Sequence, residues 1–67
     1  QACIKYNKCQ LLGGLLLNIA CALHELGKTE ECKLKLTDSF YAYHLIQDCD
    51  SCKLITDYAE KIGIKLF

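Results

Sequence analysis

Six cysteines and two histidines are the residues of this sequence whose types and spacing could do chemistry. Cys21 with His24, and Cys49 with Cys52, have the three-residue spacing and the ligand types of a zinc site. Such a site would leave the other three cysteines as an odd set of loose thiols. An even number of cysteines in a short chain indicates a disulfide framework instead. We therefore predict no metal site and three disulfides, formed among Cys3, Cys9, Cys21, Cys32, Cys49 and Cys52.

The same cysteines argue against catalysis. A cysteine nucleophile needs a free thiolate beside a base, and His24 and His44 are the candidate bases. Three disulfides would leave no thiol for them to activate. Ser39 and Ser51 fall at expected helix starts, where side-chain capping explains them. We predict a non-enzymatic protein with no catalytic residues and no cofactor.

The short chain makes disulfides the expected source of stability. A chain of 67 residues buries too little surface for a strong core, and bridges that close long loops contribute about 2–4 kcal/mol each. Such bonds persist outside the cytosol. We therefore expect a secreted, extracellular protein. We interpret the start at Gln1-Ala2-Cys3 as that of a processed product.

The charge balance narrows the classes of partner. Eight lysines, with no arginine, match eight acidic residues, so the formal net charge is zero. Proteins that bind nucleic acids carry clustered basic charge, and so do cationic membrane-lytic peptides. We predict no nucleic-acid partner.

The spacing of the apolar residues predicts an all-α fold, a single disulfide-rich domain over residues 1–67 with three to four helices. The chain has no proline. Between Cys9 and Leu26 the apolar residues recur every three or four positions, which is the helical period. We expect this helix to bury its leucines. Gly27 follows as a left-handed terminator.

A short second helix is expected over about residues 30–36. Thr29 would cap it, and Glu30 and Glu31 in its first turn suit the helix dipole. Thr37-Asp38-Ser39 then predicts a break and a new N-cap.

A third helix is expected from Ser39 towards Cys49, with four residues on its inner face: Ala42, Leu45, Ile46 and Cys49. The chain then either makes a further helical turn capped by Asp50 or Ser51, or runs on as helix to Ile62. Gly63 ends it.

Six cysteines allow 15 connectivities, and sequence alone does not choose among them. If the chain folds back near Gly27, two residues that face each other have numbers with a nearly constant sum. Cys49 and Cys52 also share one helical face and can meet two partners on one facing element. This geometry favours a nested helical hairpin with the bridges Cys3–Cys52, Cys9–Cys49 and Cys21–Cys32.

Nested bridging of this kind is similar to that of saposin-like proteins. Cys21-x10-Cys32 resembles their central bridge, whereas the opening Cys3-x5-Cys9 departs from their Cys-x2-Cys pair. Small helical pheromones of gastropods and ciliates resemble the same architecture. The saposin-like resemblance implies lipid binding or membrane activity as an alternative function. Against a transmembrane role, the uninterrupted apolar run reaches only from Leu11 to Leu17.

Apolar side chains off the predicted inner faces suggest recognition of a protein partner. Clustered surface aromatics are the usual anchors of protein interfaces. We predict a signalling or toxin-like ligand (a pheromone, venom component or effector) that acts on an extracellular receptor or channel. Contact within a homodimer is the other explanation for these residues. The candidate partner-binding residues are Phe40, Tyr43, Leu54, Tyr58 and Leu17.

Overall fold

A computed structural model describes residues 2–66, with side chains from Asn7 onwards. It contains three α-helices, and no strand occurs within the described residues. The helices are α1 (Ala2–Glu25), α2 (Thr29–Leu45) and α3 (Cys49–Lys61). The all-α prediction is therefore confirmed. A fourth helix is not seen between residues 2 and 66.

The central helix of the fold is α2, because α1 and α3 both pack along it. The chain reverses between α1 and α2, as predicted, and reverses again between α2 and α3. The simple two-rod hairpin is therefore wrong beyond Leu45, since α3 turns back along α2 instead of continuing beside the start of α1.

The tightest contact between α1 and α2 forms at Gly13. The buried Ser39 hydroxyl donates a hydrogen bond of 2.7 Å to the Gly13 carbonyl. The Tyr43 ring lies so close that a Cβ added at Gly13 would come within 2.6 Å of it. A missing side chain on α1 thus makes room for a serine and a tyrosine one turn apart on α2. This contact sets the axial position of α2 relative to α1.

The predicted break at residues 37–39 is wrong, because α2 is continuous there. Thr37 donates its hydroxyl to the Lys33 carbonyl within the helix, at 2.9 Å. Ser39 donates to α1 instead of capping α2. Both hydroxyls are satisfied without breaking the helix, and the short residue 30–36 helix and the later third helix are one element. Thr29 begins α2, but Lys28 is the N-cap residue and makes no side-chain cap bond.

The chain breaks nine residues later than expected, at residues 46–48. Gln47 adopts a left-handed φ of 56°, and the Gln47 and Asp48 amides donate to the carbonyls of His44 and Tyr43. Asp48 then caps α3, accepting hydrogen bonds from the Ser51 amide at 3.2 Å and the Ser51 hydroxyl at 2.8 Å. Asp48, rather than Asp50 or Ser51, is the cap of the last helix.

Gly27 and Gly63 end α1 and α3 as predicted. Both have left-handed φ, 78° and 79°, and their amides donate to carbonyls three residues back. This is the Schellman arrangement, in which glycine is the usual residue. The three helices therefore end in the same way, with Gln47 in the place of the second glycine.

The core lies where all three helices meet. Its fully buried side chains include Leu36 of α2 and Ile55 of α3, and Ile64 from the C-terminal segment covers it. The expectation that α1 buries its leucines is wrong for most of them. Ala20 is buried and Leu16, Leu17 and Leu23 are half-buried, but five other large apolar side chains from Leu11 to Leu26 are exposed. These exposed residues are Leu11, Leu12, Leu15, Ile19 and Leu26.

The paired glycines give a test of the α1–α2 contact. We expect Gly14→Ala to raise the free energy of unfolding by about 1 kcal/mol, because alanine favours the helix. The nearest atom to its new Cβ is the Tyr43 hydroxyl oxygen, at an ordinary 3.5 Å. Gly13→Ala should instead lower that free energy by about 1 kcal/mol, because overpacking against the Tyr43 ring outweighs the helix gain.

Urea denaturation followed by circular dichroism measures both changes. In a Tyr43→Ala background the penalty should disappear, so that Gly13→Ala becomes stabilising there. Equal stabilisation by the two alanines in the otherwise unchanged chain would show that the Tyr43 ring does not pack on Gly13.

Candidate functional site

Two of the cysteines, one on α1 and one on α2, lie close enough for their charges to interact. Cys32 of α2 is fully buried, and Cys21 of α1 is half-buried. Burial raises the pKa of the Cys32 thiol, and the neighbouring charge of Cys21 adds to the shift. A thiol with a raised pKa is less ionised at neutral pH and is a weaker nucleophile. The arrangement suits a structural pair better than a reactive cysteine.

Tyr58 of α3 completes this thiol cluster, which we define as Cys21, Cys32 and Tyr58. A hydrogen bond with the Cys21 sulfur, together with burial and the nearby thiols, raises the pKa of Tyr58 to about 12. The ring of His24 meets the ring of Tyr58 edge to face, with centroids 6.5 Å apart. The cluster therefore draws one residue from each helix and joins all three.

Two other cysteines lie in the first turn of α3. Cys49 is exposed and Cys52 is half-buried. The Cys52 thiol donates to the Phe40 carbonyl at 3.7 Å. Burial raises the pKa of Cys52, and Cys49 and Asp48 add to the shift. These contacts place Cys52 beside the middle of α2.

No two of the five cysteine sulfurs from Cys9 to Cys52 are bonded to each other in this structure. The Cys3 side chain, and with it the predicted Cys3–Cys52 pair, lies outside the described residues. Of the predicted pairs, Cys21 and Cys32 are brought together as neighbours. Within the described part of the chain, no three His, Cys, Asp or Glu side chains converge as a metal site.

The predicted partner-binding residues lie mainly against the core. Tyr43 is a core residue that is only 9% exposed, and Leu17, Phe40 and Tyr58 are partly buried and pack on the same cluster. Leu54 alone of the five has a largely open side chain, 61% exposed. A partner-binding role for these residues stays a prediction, and four of them offer little surface to a partner.

An exposed apolar surface runs along α1 and includes Leu26, the residue that follows it. We name it the α1 seam, and it consists of Leu12, Leu15, Ile19, Ala22 and Leu26. Leu15, at its middle, is 57% exposed. The seam lies away from Gly13, Cys21 and His24, three of the α1 residues that contact the other helices. Among the described residues, no helix combines the length and apolar character needed to cross a membrane.

A second exposed apolar surface follows α2. We name it the α2 stripe, and it consists of Leu34, Tyr41 and Leu45. Tyr41 is 52% exposed, and its ring meets Phe40 edge to face, with centroids 6.1 Å apart. The ring of Phe40 in turn stacks on His44.

Sequence reasoning missed the α2 stripe because it broke α2 at residues 37–39. A continuous helix from Thr29 carries Leu34, Tyr41 and Leu45 at seven- and four-residue spacings on one face. That spacing is the signal that identifies the stripe. It also turns Leu45, predicted to face inwards, out to solvent.

A groove of about 360 Å³ lies between α1 and α2. Ile19 and Leu23 of α1 and Leu34 of α2 supply its apolar lining, and Glu31, Lys35 and Asp38 supply its charged side chains. Ile19 belongs to the α1 seam and Leu34 to the α2 stripe. The groove therefore connects the seam and the stripe into one continuous surface. That surface suits contact with another macromolecule through apolar side chains.

Comparison of the chain with protein-family models, curated proteins and solved structures gave no match. The resemblance to saposin-like proteins therefore has only the cysteine pattern to support it.

The contacts within the thiol cluster predict that Tyr58 ionises at a higher pH than an ordinary tyrosine. In the reduced protein, where Cys21 and Cys32 are thiols, the absorbance of tyrosinate, taken as the difference between the unchanged chain and Tyr58→Phe, should give a midpoint near pH 12 for Tyr58. Cys21→Ala removes the hydrogen bond and should move that midpoint back towards 10. A midpoint that Cys21→Ala leaves unchanged would place Tyr58 away from Cys21.

The raised pKa of Tyr58 also determines how the free energy of unfolding changes with pH. The folded protein holds the Tyr58 proton more tightly than the unfolded chain. The stability from this group is therefore complete below pH 10 and is lost as the pH rises through about 12. Urea midpoints of the reduced protein measured from pH 9 upwards should fall less steeply in Tyr58→Phe.

Proposed function

We propose that this chain is a secreted, non-enzymatic binding protein. In this proposal it is a signalling or toxin-like ligand, such as a pheromone, venom component or effector, and it acts on an extracellular receptor or channel. The observation that supports partner binding is the α2 stripe, in which an exposed tyrosine lies between two exposed leucines. Tyrosine is among the residues that most often dominate the energy of protein interfaces.

Tyr41 has the properties of an interface anchor. Its ring meets that of Phe40 edge to face, and a tyrosine, with two side-chain torsions, loses little conformational freedom on binding. Its exposed part offers both an apolar surface and a hydroxyl that can form hydrogen bonds. Leu34 and Leu45 extend the apolar contact along the helix. Phe40, first expected to touch the partner, would act here as the support of Tyr41.

Secretion and three disulfides remain part of the proposal. The even count of six cysteines in 67 residues supports them, and so does the proximity of Cys21 and Cys32 across the α1–α2 hairpin. A bond between these two would join α1 to α2 beside the core. The nested pairs Cys9–Cys49 and Cys3–Cys52 are proposed with it on the cysteine pattern alone.

Disulfide mapping tests the compartment and the pairing together. Intact mass before and after reduction should differ by six hydrogens if all six cysteines are paired. Peptide mapping under non-reducing conditions should recover a Cys21–Cys32 peptide. Protein purified under oxidising conditions that keeps its thiols free would contradict the disulfide proposal and the secretion inferred from it.

Substitution of Tyr41 tests the binding surface. In saturable binding of labelled protein to a panel of intact eukaryotic cells, Tyr41→Ala should weaken binding by about 30-fold or more, as expected of an interface anchor. Tyr41→Phe keeps the ring and should weaken binding by no more than about tenfold, the loss of one hydrogen bond. Circular dichroism should show unchanged helix content in both variants.

Leu54→Ala separates the two candidate surfaces. Leu54 is the exposed member of the residues that the sequence predicted, and it lies on α3. If Leu54→Ala abolishes binding while Tyr41→Ala does not, the partner binds α3 and the α2 stripe is not the site.

Lipid binding is the second candidate function, and the exposed leucines of α1 favour it. It predicts leakage of zwitterionic liposomes, or lipid that co-purifies with the protein, and loss of both on Leu15→Glu.

A further inference from the structure

The α1 seam has the spacing of a helix-pairing surface. Its residues follow one another at intervals of three, four, three and four, through Leu12, Leu15, Ile19, Ala22 and Leu26. This is the a/d repeat by which two helices pack side chains into each other's gaps. Any apolar stripe along one side of a helix has the same intervals, including one that contacts lipid, so the charges at the ends of the seam must identify the occupant. The spacing allows a second helix to pack there, and the flanking residues and end charges favour one.

The residues beside the seam suit an identical helix. Leu16 and Leu23 flank it on one side, and Leu11 and Asn18 on the other, so no like charges would meet along its middle. Charges occur at the two ends and have opposite signs. Lys8 precedes the seam in the same repeat, and Glu25 stands beside its last residue, both exposed.

These end charges determine the direction of pairing. Two parallel copies would bring Lys8 against Lys8 and Glu25 against Glu25. Two antiparallel copies would bring Lys8 of each chain beside Glu25 of the other, at both ends at once. In the same antiparallel register Leu12 faces Ala22, and Leu15 faces Ile19.

We propose that the α1 seam is a self-association surface, on which a second copy of this chain docks with its own α1 antiparallel. The contact is isologous, because each residue pair occurs twice about a two-fold axis. It leaves Tyr41 and Leu45 of the proposed receptor contact free, because they lie on α2 outside the seam, whereas Leu34 borders the seam across the groove that Ile19 lines. The dimer would present two α2 stripes.

Sedimentation velocity of the full chain tests the proposal. Between about 1 µM and about 1 mM, where a short helix pair is expected to associate, the mass should rise from 7.6 kDa towards twice that value. Leu15→Glu should weaken association at least about tenfold, because it sets an unpaired carboxylate against Ile19 of the other copy. Leu15 is exposed in one chain, so the variant should keep its circular dichroism spectrum.

Leu54→Glu is the matched control. Leu54 has nearly the same exposure as Leu15, 61% against 57%, but lies on α3 outside the seam. The control should dimerise like the unchanged chain. If Leu54→Glu weakens association as much as Leu15→Glu does, the contact is a general apolar one and the seam is wrong.

A charge exchange tests the antiparallel direction. Lys8→Glu alone and Glu25→Lys alone should each weaken the dimer by about fivefold, since each creates two like-charged contacts. The double variant should restore the original affinity, because the two charges have only changed places. Failure of the double variant to recover would overturn the antiparallel arrangement.

Three further results would overturn self-association through the seam. The first is a chain that stays monomeric up to about 1 mM. The second is a dimer that survives on a non-reducing denaturing gel, which is a covalent product of the cysteines. The third is lipid that co-purifies with the protein and is lost on Leu15→Glu while the mass stays that of one chain.

Discussion

The contact at Gly13 sets the geometry from which the rest of the fold follows. A serine hydroxyl can donate to a backbone carbonyl of another helix only where the two backbones come close, and Gly13 permits this because it has no Cβ. Ser39 and Tyr43 occupy the space one turn apart on α2. With residue 13 held opposite residues 39 and 43, Cys21 and Cys32 become neighbours at the other end of the hairpin. The thiol cluster is thus a consequence of the glycine contact.

The buried serine also explains why α2 does not break. Threonine and serine compete with helical hydrogen bonding when their hydroxyls have no other partner, and they then favour caps and turns. In α2 each hydroxyl has a carbonyl within reach, that of Lys33 for Thr37 and that of Gly13 for Ser39. The second partner comes from a different helix. No local pattern in residues 37–39 contains that information, so the sequence predicts a break where tertiary contact keeps the helix intact.

At Gln47 the helix ends where the sequence predicts no end. The ends of α1 and α3 could be predicted because glycine occupies the left-handed position in both. The end of α2 has the same hydrogen bonds but a glutamine there, and a left-handed glutamine is disfavoured by its Cβ. The capping bonds of Asp48, directly after it, hold the reversal in place. The all-α class, two helix ends and the Cys21–Cys32 neighbourhood were therefore readable from the sequence, but the second reversal was not.

The position of that reversal determines which side chains of α2 are predicted to face solvent. With the break at residues 37–39, Phe40 and Tyr43 appear to face outwards. With one helix ending at Leu45, Tyr43 packs on Gly13 and Tyr41 faces solvent. On α1 the difficulty is different, because leucines surround most of the helix and periodicity cannot tell which of them face the core. The positions of the small residues determine which side of α1 packs on α2. Gly13 and Ala20 admit α2 on one side, and the leucines of the seam are left for another surface to cover.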